Sequence, residues 1–365
     1  MRRIAYVGVD YHSNTLSMAV LIEGEKLFHS NIVLRNDDKM VHKHLKKLGK
    51  DYELRFCYEA SGCGYVFQRK LRTRGYECEV ISPSLVPKKP GDHRKNDYRD
   101  ARNLAQVYRD GLLTVVNPPS EKEESVRGLV RCRMALKEAA KRAKLQINSF
   151  LLAQDLQWKN NKWTHQHRQW LSKTDFSDPC LQTEFTELRG HLEYLETGIN
   201  HLDSQIEQIG CSEIYGPSVK KLRAFRGIGT LGAMLLIAGT TDFRRFASPR
   251  ALMAFLGLIP SENSTGEKRK GGPITKAGNP GCRTQLIESV QQCMKKPVIG
   301  AVMKANLADV DANSADIAIN CMNRLHQRFW SLANRGKTRQ VVIAAVAREF
   351  AGFIWAMMQD GPVAA

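Results

Sequence analysis

The chain has 365 residues, 42% of them apolar and 25% charged, a balance that fits a soluble globular protein of two or three domains with sizeable cores. Lys and Arg outnumber Asp and Glu by 55 to 37, a formal net charge of +18, which points to a polyanionic partner, nucleic acid before membrane, because each phosphate neutralised releases counterions. The nine cysteines are scattered, odd in number and without a Cys-x-x-Cys pair, which argues against a disulfide framework or a structural zinc and fits reduced thiols in a cytoplasm.

Residues 4–10 form a short apolar run rich in β-branched side chains that ends on the carboxylate of Asp10. Tyr11-His12-Ser13-Asn14 then leads into a second apolar run at 15–22, so a buried strand, a tight connection and a partner strand are expected. The break at Asp10 also means that no signal peptide is expected after Met1-Arg2-Arg3. A third strand at 26–33, a helix at 38–48, a strand ending in Arg55-Phe56-Cys57-Tyr58-Glu59, a helix at 65–74 and a strand at 76–81 follow. A basic, proline-rich loop at 83–94 precedes a helix that begins near Asp97. Hairpin strands followed by strand–helix alternation predict a mixed α/β sheet covered by helices.

Residues 118–154 are rich in Ala, Lys, Glu, Arg and Leu behind a Pro119-Ser120 cap, and read as one long helix. The stretch 158–179 is polar, holds Trp158, Trp163 and Trp170 and lacks a period. Phe185, Leu188, Leu192, Leu195, Ile199, Leu202, Ile206 and Ile209 then recur at alternating spacings of three and four, a heptad seam that predicts a coiled-coil hairpin or self-association. A second compact domain is expected from about residue 215, mostly helical, with helices near 231–238, 249–256, 316–334 and 339–358. Arg348 and Glu349 interrupt the last of these, which reads as a packed helix and not a membrane span. Gly227-Ile228-Gly229 resembles the hairpin of helix-hairpin-helix modules, whose glycines let backbone N–H groups approach a phosphate. Residues 261–279 mix hydroxyls, glycines and cations with almost no apolar residues, and read as a long functional or disordered loop.

Asp97 and Asp100 sit three apart at a helix start and project from one face. Alone they read as favourable charges at a helix N-terminus. Together with the strand-end carboxylates Asp10 and Glu59, in a basic protein, they form the oxygen-rich set that a hard divalent cation requires, with Mg²⁺ favoured because the four are scattered along the chain. Paired ions in such a site stabilise both the attacking and the leaving oxygen of a phosphodiester.

Gly8-Val9-Asp10, Tyr58-Glu59-Ala60-Ser61-Gly62 and Asn96-Asp97-Tyr98-Arg99-Asp100-Ala101 resemble the Asp-Glu-Asp-Asp set of the DEDD transposases of bacterial insertion sequences, whose first domain is RuvC-like with a ribonuclease H fold. Arg226-Gly227-Ile228-Gly229, Arg245-Phe246, 255–260 and Ile274-Thr275-Lys276-Ala277-Gly278-Asn279 resemble that family's C-terminal transposase domain. The resemblance spans nearly the whole chain. It implies a RuvC-like domain at 1–118, a helical coiled-coil region at 119–214 and a C-terminal transposase domain at 215–365. It further implies a cytoplasmic, nucleoid-associated DNA recombinase that moves its own element, guided by a non-coding bridge RNA pairing with donor and target DNA, and working as dimers that pair into tetramers. Asp10, Glu59, Asp97 and Asp100 would hold Mg²⁺, while a loop serine from another subunit forms a phosphoserine link to DNA. Ser264 is the expected nucleophile, with Thr265 as the alternative, because a primary alkoxide is less hindered than a secondary one. Arg226, Gly227, Gly229, Lys268, Arg269, Lys270, Lys276 and Asn279 are expected to contact nucleic acid. The competing readings are a RuvC-like nuclease or junction resolvase that uses water as nucleophile, and a non-catalytic RNA-binding protein. A third reading, an actin-like sugar kinase, shares the Gly-x-Asp strand start, but this chain has no second Asp-Gly phosphate loop where Glu59-Ala60-Ser61-Gly62 stands.

Overall fold

The structure is a computed structural model that describes residues 2–60, 62–83, 86, 97–265 and 268–359, without the side chains of 263–265 and 268–270. Apart from Pro83 and Val86, the expected basic loop at 83–94 lies outside the described residues. The chain divides into two compact units, Met1–Pro118 and Pro119–Ala365.

The first unit is a six-stranded sheet in the order β3-β2-β1-β4-β5-β6. β1 (Arg3–Tyr11), β2 (Thr15–Ile22) and β3 (Ser30–Arg35) run antiparallel, while β4 (Tyr52–Glu59) and β5 (Glu77–Ile81) extend the sheet parallel to β1. A two-residue strand, β6 (Val115–Val116), closes the edge antiparallel to β5. This mixed sheet is consistent with the ribonuclease H-like fold that the motifs imply. Seven of the eight β2 residues are buried, because helices cover both faces, and this is why the sequence there is a continuous apolar run. On one face Val7, Val9, Phe56 and Tyr58 pack with α1 (Asp38–Leu48) and α2 (Val66–Thr73) through Val41, Leu45, Phe67 and Leu71. On the other, Ala19, Leu21, Cys57 and Ile81 receive Ala101, Leu104 and Ala105 of α3 (Asp97–Arg109).

In the second unit α4 (Glu121–Ala153) opens with a capping box, in which the Ser120 hydroxyl accepts from Glu123 N–H and the Glu123 carboxylate accepts from Ser120 N–H. It runs antiparallel to α6 (Pro179–Gly210): Arg133 meets Asp203, Lys144 meets Glu196, and Phe150 stacks on Phe185 at 5.6 Å. The heptad seam is therefore seated within one chain. Phe185, Leu192 and Leu195 pack against Ala140, Ala143, Ile147, Phe150 and Leu151, and Ile206 joins the core of the helices that follow. The polar tryptophan stretch contains a helix that its composition hid, α5 (His165–Lys173), capped by Thr164 and anchored by Leu171.

The remaining core gathers α7 (Gly216–Arg223), α8 (Thr230–Thr240), α9 (Pro249–Phe255), α10 (Pro280–Val290), α11 (Ala301–Ala308), α12 (Ala312–Asn334) and α13 (Arg339–Met357). α13 is long and apolar enough to cross a membrane, yet Val342, Val346, Phe350 and Ile354 are buried in this core. The expected loop at 261–279 is instead largely an antiparallel hairpin of β7 (Pro260–Thr265) and β8 (Lys268–Ile274). Its backbone ladder needs no apolar alternation, and Ser261 Oγ donates across it to Pro273 O at 3.0 Å.

Candidate active site

Parallel pairing of β1 with β4 puts Val9 beside Tyr58, so Asp10, one residue before the end of β1, and Glu59, the last of β4, stand at the same level. Side chains alternate along a strand, and Asp10 therefore shares the face of Gly8, and Glu59 that of Cys57, which is the face covered by α3. Gly8 makes this arrangement possible. A Cβ there would lie 2.2 Å from Ala101 O and 2.4 Å from Ala105 N, so only glycine lets the α3 backbone rest on β1. The Cys57 thiol donates to Leu104 O at 3.5 Å on the same helix. Docked in this way, α3 starts beside the ends of the two strands, and its first turn carries Asp97 and Asp100.

The side chains of Asp10, His12 and Asp97 offer ligand atoms that lie within 4.8 Å of one another. His12 Nε2 is 3.3 Å from Asp10 Oδ2 and 3.8 Å from Asp97 Oδ2. Burial raises the Asp10 carboxyl above its ordinary pKa; His12 opposes the shift, and the charges of Asp97 and Asp100 add to it. Of the four expected carboxylates, Asp10 and Asp97 are thus brought into one cluster, Asp100 acts on Asp10 through its field, and Glu59 stands at the end of the neighbouring strand. His12 is the member that sequence reasoning missed. Its signal was available, since a residue two beyond a strand-end carboxylate in extended backbone falls on the same face.

Two family models match the chain. The DEDD transposase model of the IS110 type covers residues 7–154, and that of the transposase IS116/IS110/IS902 family covers residues 219–304. The chain is 35% identical to the protein named putative transposase y4qE of Sinorhizobium fredii, over 98% of its own length and 89% of that protein. It belongs to the IS110/IS116/IS902 family of insertion-sequence transposases. The transposase is also 28% identical to that of insertion sequence element IS1533 from Leptospira borgpetersenii, over 92% and 99% of the two chains. A third relative, from IS1111A of Coxiella burnetii, is 22% identical over 93% and 92%. It is accordingly an enzyme of transposition with DNA as its substrate.

A DEDD transposase domain implies a divalent metal, and the donor chemistry here fits one. Two carboxylates and an imidazole converge, and Asp10, with its side chain 22% exposed, is costly to leave charged without a cation.

Elsewhere the transposase holds the expected nucleic-acid residues in varied settings. Arg226 Nη1 donates to Lys296 O at 2.8 Å. Gly227, at φ +90°, packs against α10, where Ser289 Oγ donates to its carbonyl at 2.9 Å. Gly229 caps α8, and Asn279 caps α10 by accepting from Gly281 and Cys282 N–H. Lys276 sits at φ +55° just after β8. Strand register pairs Ser264 with Arg269, Thr265 with Lys268 and Asn263 with Lys270, and the side chains of all six lie outside the described residues.

Proposed function

We propose that the transposase excises and inserts its element by site-specific recombination, with Ser264 as nucleophile and Asp10, Glu59, Asp97 and Asp100 as a Mg²⁺ site. The observation that carries this reading is the convergence of two strand ends and one helix start, each bearing a carboxylate, on the α3 face of the sheet. When bound, the metal supplies Lewis-acid polarisation of a DNA phosphate. Ser264 Oγ attacks the phosphorus: an O–P bond forms, one P–O bond to a deoxyribose breaks, and the serine proton passes in net to the released hydroxyl. Rejoining is the same exchange in reverse with another strand's hydroxyl, so no external energy source is needed. The hairpin register supports the serine, because Arg269 and Lys268 stand opposite Ser264 and Thr265, where cations offset charge on the phosphorane.

In this reading 1–118 is the RuvC-like domain, 119–214 a coiled-coil spacer and 215–365 the transposase domain. Dimers pair into tetramers, so that the loop of one subunit meets the carboxylates of another. A bridge RNA selects donor and target DNA, and the enzyme works in the cytoplasm, on the nucleoid. Arg226, Gly227, Gly229, Lys268, Arg269, Lys270, Lys276 and Asn279 are proposed nucleic-acid contacts.

His12 supports a second reading, a metal-dependent nuclease with water as nucleophile, because its imidazole stands 3.3 Å from Asp10 and imidazole is the side chain that most often takes a proton from water. A covalent protein–DNA adduct that survives denaturation and is lost in Ser264→Ala, or in Thr265→Ala if that hydroxyl attacks, supports the first. Strand cleavage that persists in both variants rejects it. Sequencing the nucleic acid that copurifies with the protein tests the RNA, and the absence of a single structured species rejects the guided mechanism.

A further inference from the structure

His167 is fully buried at the start of α5, among three tryptophans. Its Nδ1 accepts the N–H of Trp163 at 2.9 Å, and Trp170 stacks on the ring at 5.7 Å and 21°. Accepting at Nδ1 fixes the tautomer of the neutral ring, with the proton on Nε2. Burial, with Lys162 and Arg168 nearby, lowers the pKa of the ring. Nε2–H is therefore a buried donor, and it has no partner among the described residues. Such a group costs free energy unless something accepts from it.

The same imidazole lines a cavity of ≈ 190 Å³ beside the C-terminal turns of α4, together with Trp158, Trp170, Leu145, Leu152 and Lys162. That volume is below the roughly 300–1,000 Å³ of pockets for drug-sized ligands and suits one flat ring system. Leu145 and Leu152, 58% and 67% exposed, add apolar surface to its lining. Arg168 is paired with Glu196, but Lys159, Lys162 and Lys173 remain between Asp155 and Asp175, a positive excess that favours a polyanion.

We propose that this cavity binds an unpaired base of an RNA strand, held against Trp158 and Trp170, with a ring or carbonyl acceptor reaching His167 Nε2–H as the Trp158–Trp170 pair parts to admit it, and the backbone phosphate near Lys162. Stacking on aromatic side chains is the usual way proteins hold unstacked bases. RNA is the source because its loops present such bases ready-made, whereas a base in duplex DNA must first be unpaired and unstacked. The RNA partnership proposed above enters only as the origin of the base.

The test uses the full-length protein and single-stranded octaribonucleotides of A, C, G or U, with matching deoxy octamers and a 4-thiouridine probe for cross-linking. At least one ribo-octamer is expected to quench tryptophan fluorescence and to cross-link within residues 156–174. Trp158→Leu should weaken its binding about 5- to 100-fold. Leu152→Glu, an exposed change that leaves the fold alone, should weaken it as well by placing a negative charge at the site. Unchanged affinity in both variants, cross-links only elsewhere, or no binding of any octamer overturns the proposal. Equal binding of the deoxy octamers overturns the assignment to RNA. Copurifying RNA retained in full by Trp158→Leu counts against this site and leaves the guide reading standing. Octamer binding here by a protein that carries no RNA does the reverse.

Discussion

Gly8→Ala tests whether the carboxylate cluster depends on the seating of α3. The new methyl would lie 2.2 Å from Ala101 O and 2.4 Å from Ala105 N, both backbone atoms that no rotamer change can move aside. Opening the closer approach to the 3.4 Å of ordinary contact requires α3 to withdraw by about 1.2 Å. Overpacking of this kind costs about 1–3 kcal/mol, and the upper end applies because rigid main chain takes the strain. The same displacement carries Asp97 and Asp100 away from Asp10, and a misplacement of about 1 Å in a reacting constellation can cost on the order of 100-fold in rate. Urea unfolding followed by circular dichroism gives the first quantity, and metal-dependent strand cleavage of element-end DNA gives the second. Gly128→Ala is the control: nothing stands within 4 Å of its Cβ, two turns into α4, so it should be neutral or slightly stabilising. If Gly8→Ala matches wild type in both midpoint and rate, α3 does not set the geometry of the site and the reasoning fails.

Asp97→Asn removes one of the charges that raise the Asp10 pKa, so in metal-free protein Asp10 should titrate lower by carboxyl NMR, while cleavage with metal is lost; an unmoved Asp10 contradicts the cluster. Glu196 is held at a pKa of about 2 by hydrogen bonds from Arg168 and Lys144, against an ordinary 4.5. A depressed carboxylate stabilises fully above about pH 4.5, and that stability is lost as pH falls toward 2. The shift bounds the effect at about 3 kcal/mol, and solvent screening of a side chain 23% exposed reduces it to roughly 1–2 kcal/mol. Glu196→Gln should therefore lie below wild type at pH 7 and converge with it near pH 2, and a constant gap would refute the pairing. Phe185→Ala empties a fully buried position stacked on Phe150 and should cost about 3–5 kcal/mol in thermal or denaturant unfolding.

The strands and helices of the first unit were legible wherever burial imposed a pattern. The apolar runs that became β1 and β2, and the amphipathic stretch that became α1, carry their environment in their composition. Asp10, Asp97 and Asp100 could be grouped because each stands at the end of such an element. The spacing of His12 from Asp10 was readable, but its relation to Asp97 depends on the docking of α3, a contact some 85 residues away that Gly8 permits. The β7–β8 hairpin was illegible for a different reason: glycines and lysines give it no apolar alternation, and its order rests on main-chain pairing. α5 hid behind polar residues because its buried face is mainly His167 and Leu171, too few positions to set a period. The heptads of α6 marked a seam, but spacing alone does not say that its partner is α4 of the same chain.

The side chain of Asn36 donates to the carbonyls of both His12 and Ser13, at 3.0 and 3.1 Å, and its own N–H donates to Asn14 O at 2.8 Å. One asparagine at the end of β3 thus staples the turn that follows Asp10. The half of the cluster borne by β1 is rigid before any cation arrives, since its backbone is held by ladder pairing on one side and by this staple on the other. Asp97 belongs to the first turn of a helix and keeps 57% of its side chain in solvent. The backbone entropy of closing the ring of ligands therefore falls mainly on the α3 side, while the His12 imidazole, 51% exposed, adds a side-chain share on the other. Affinity for a cation should accordingly respond to changes that stiffen the start of α3 far more than to changes along β1, and the site behaves as a fixed jaw and a hinged one.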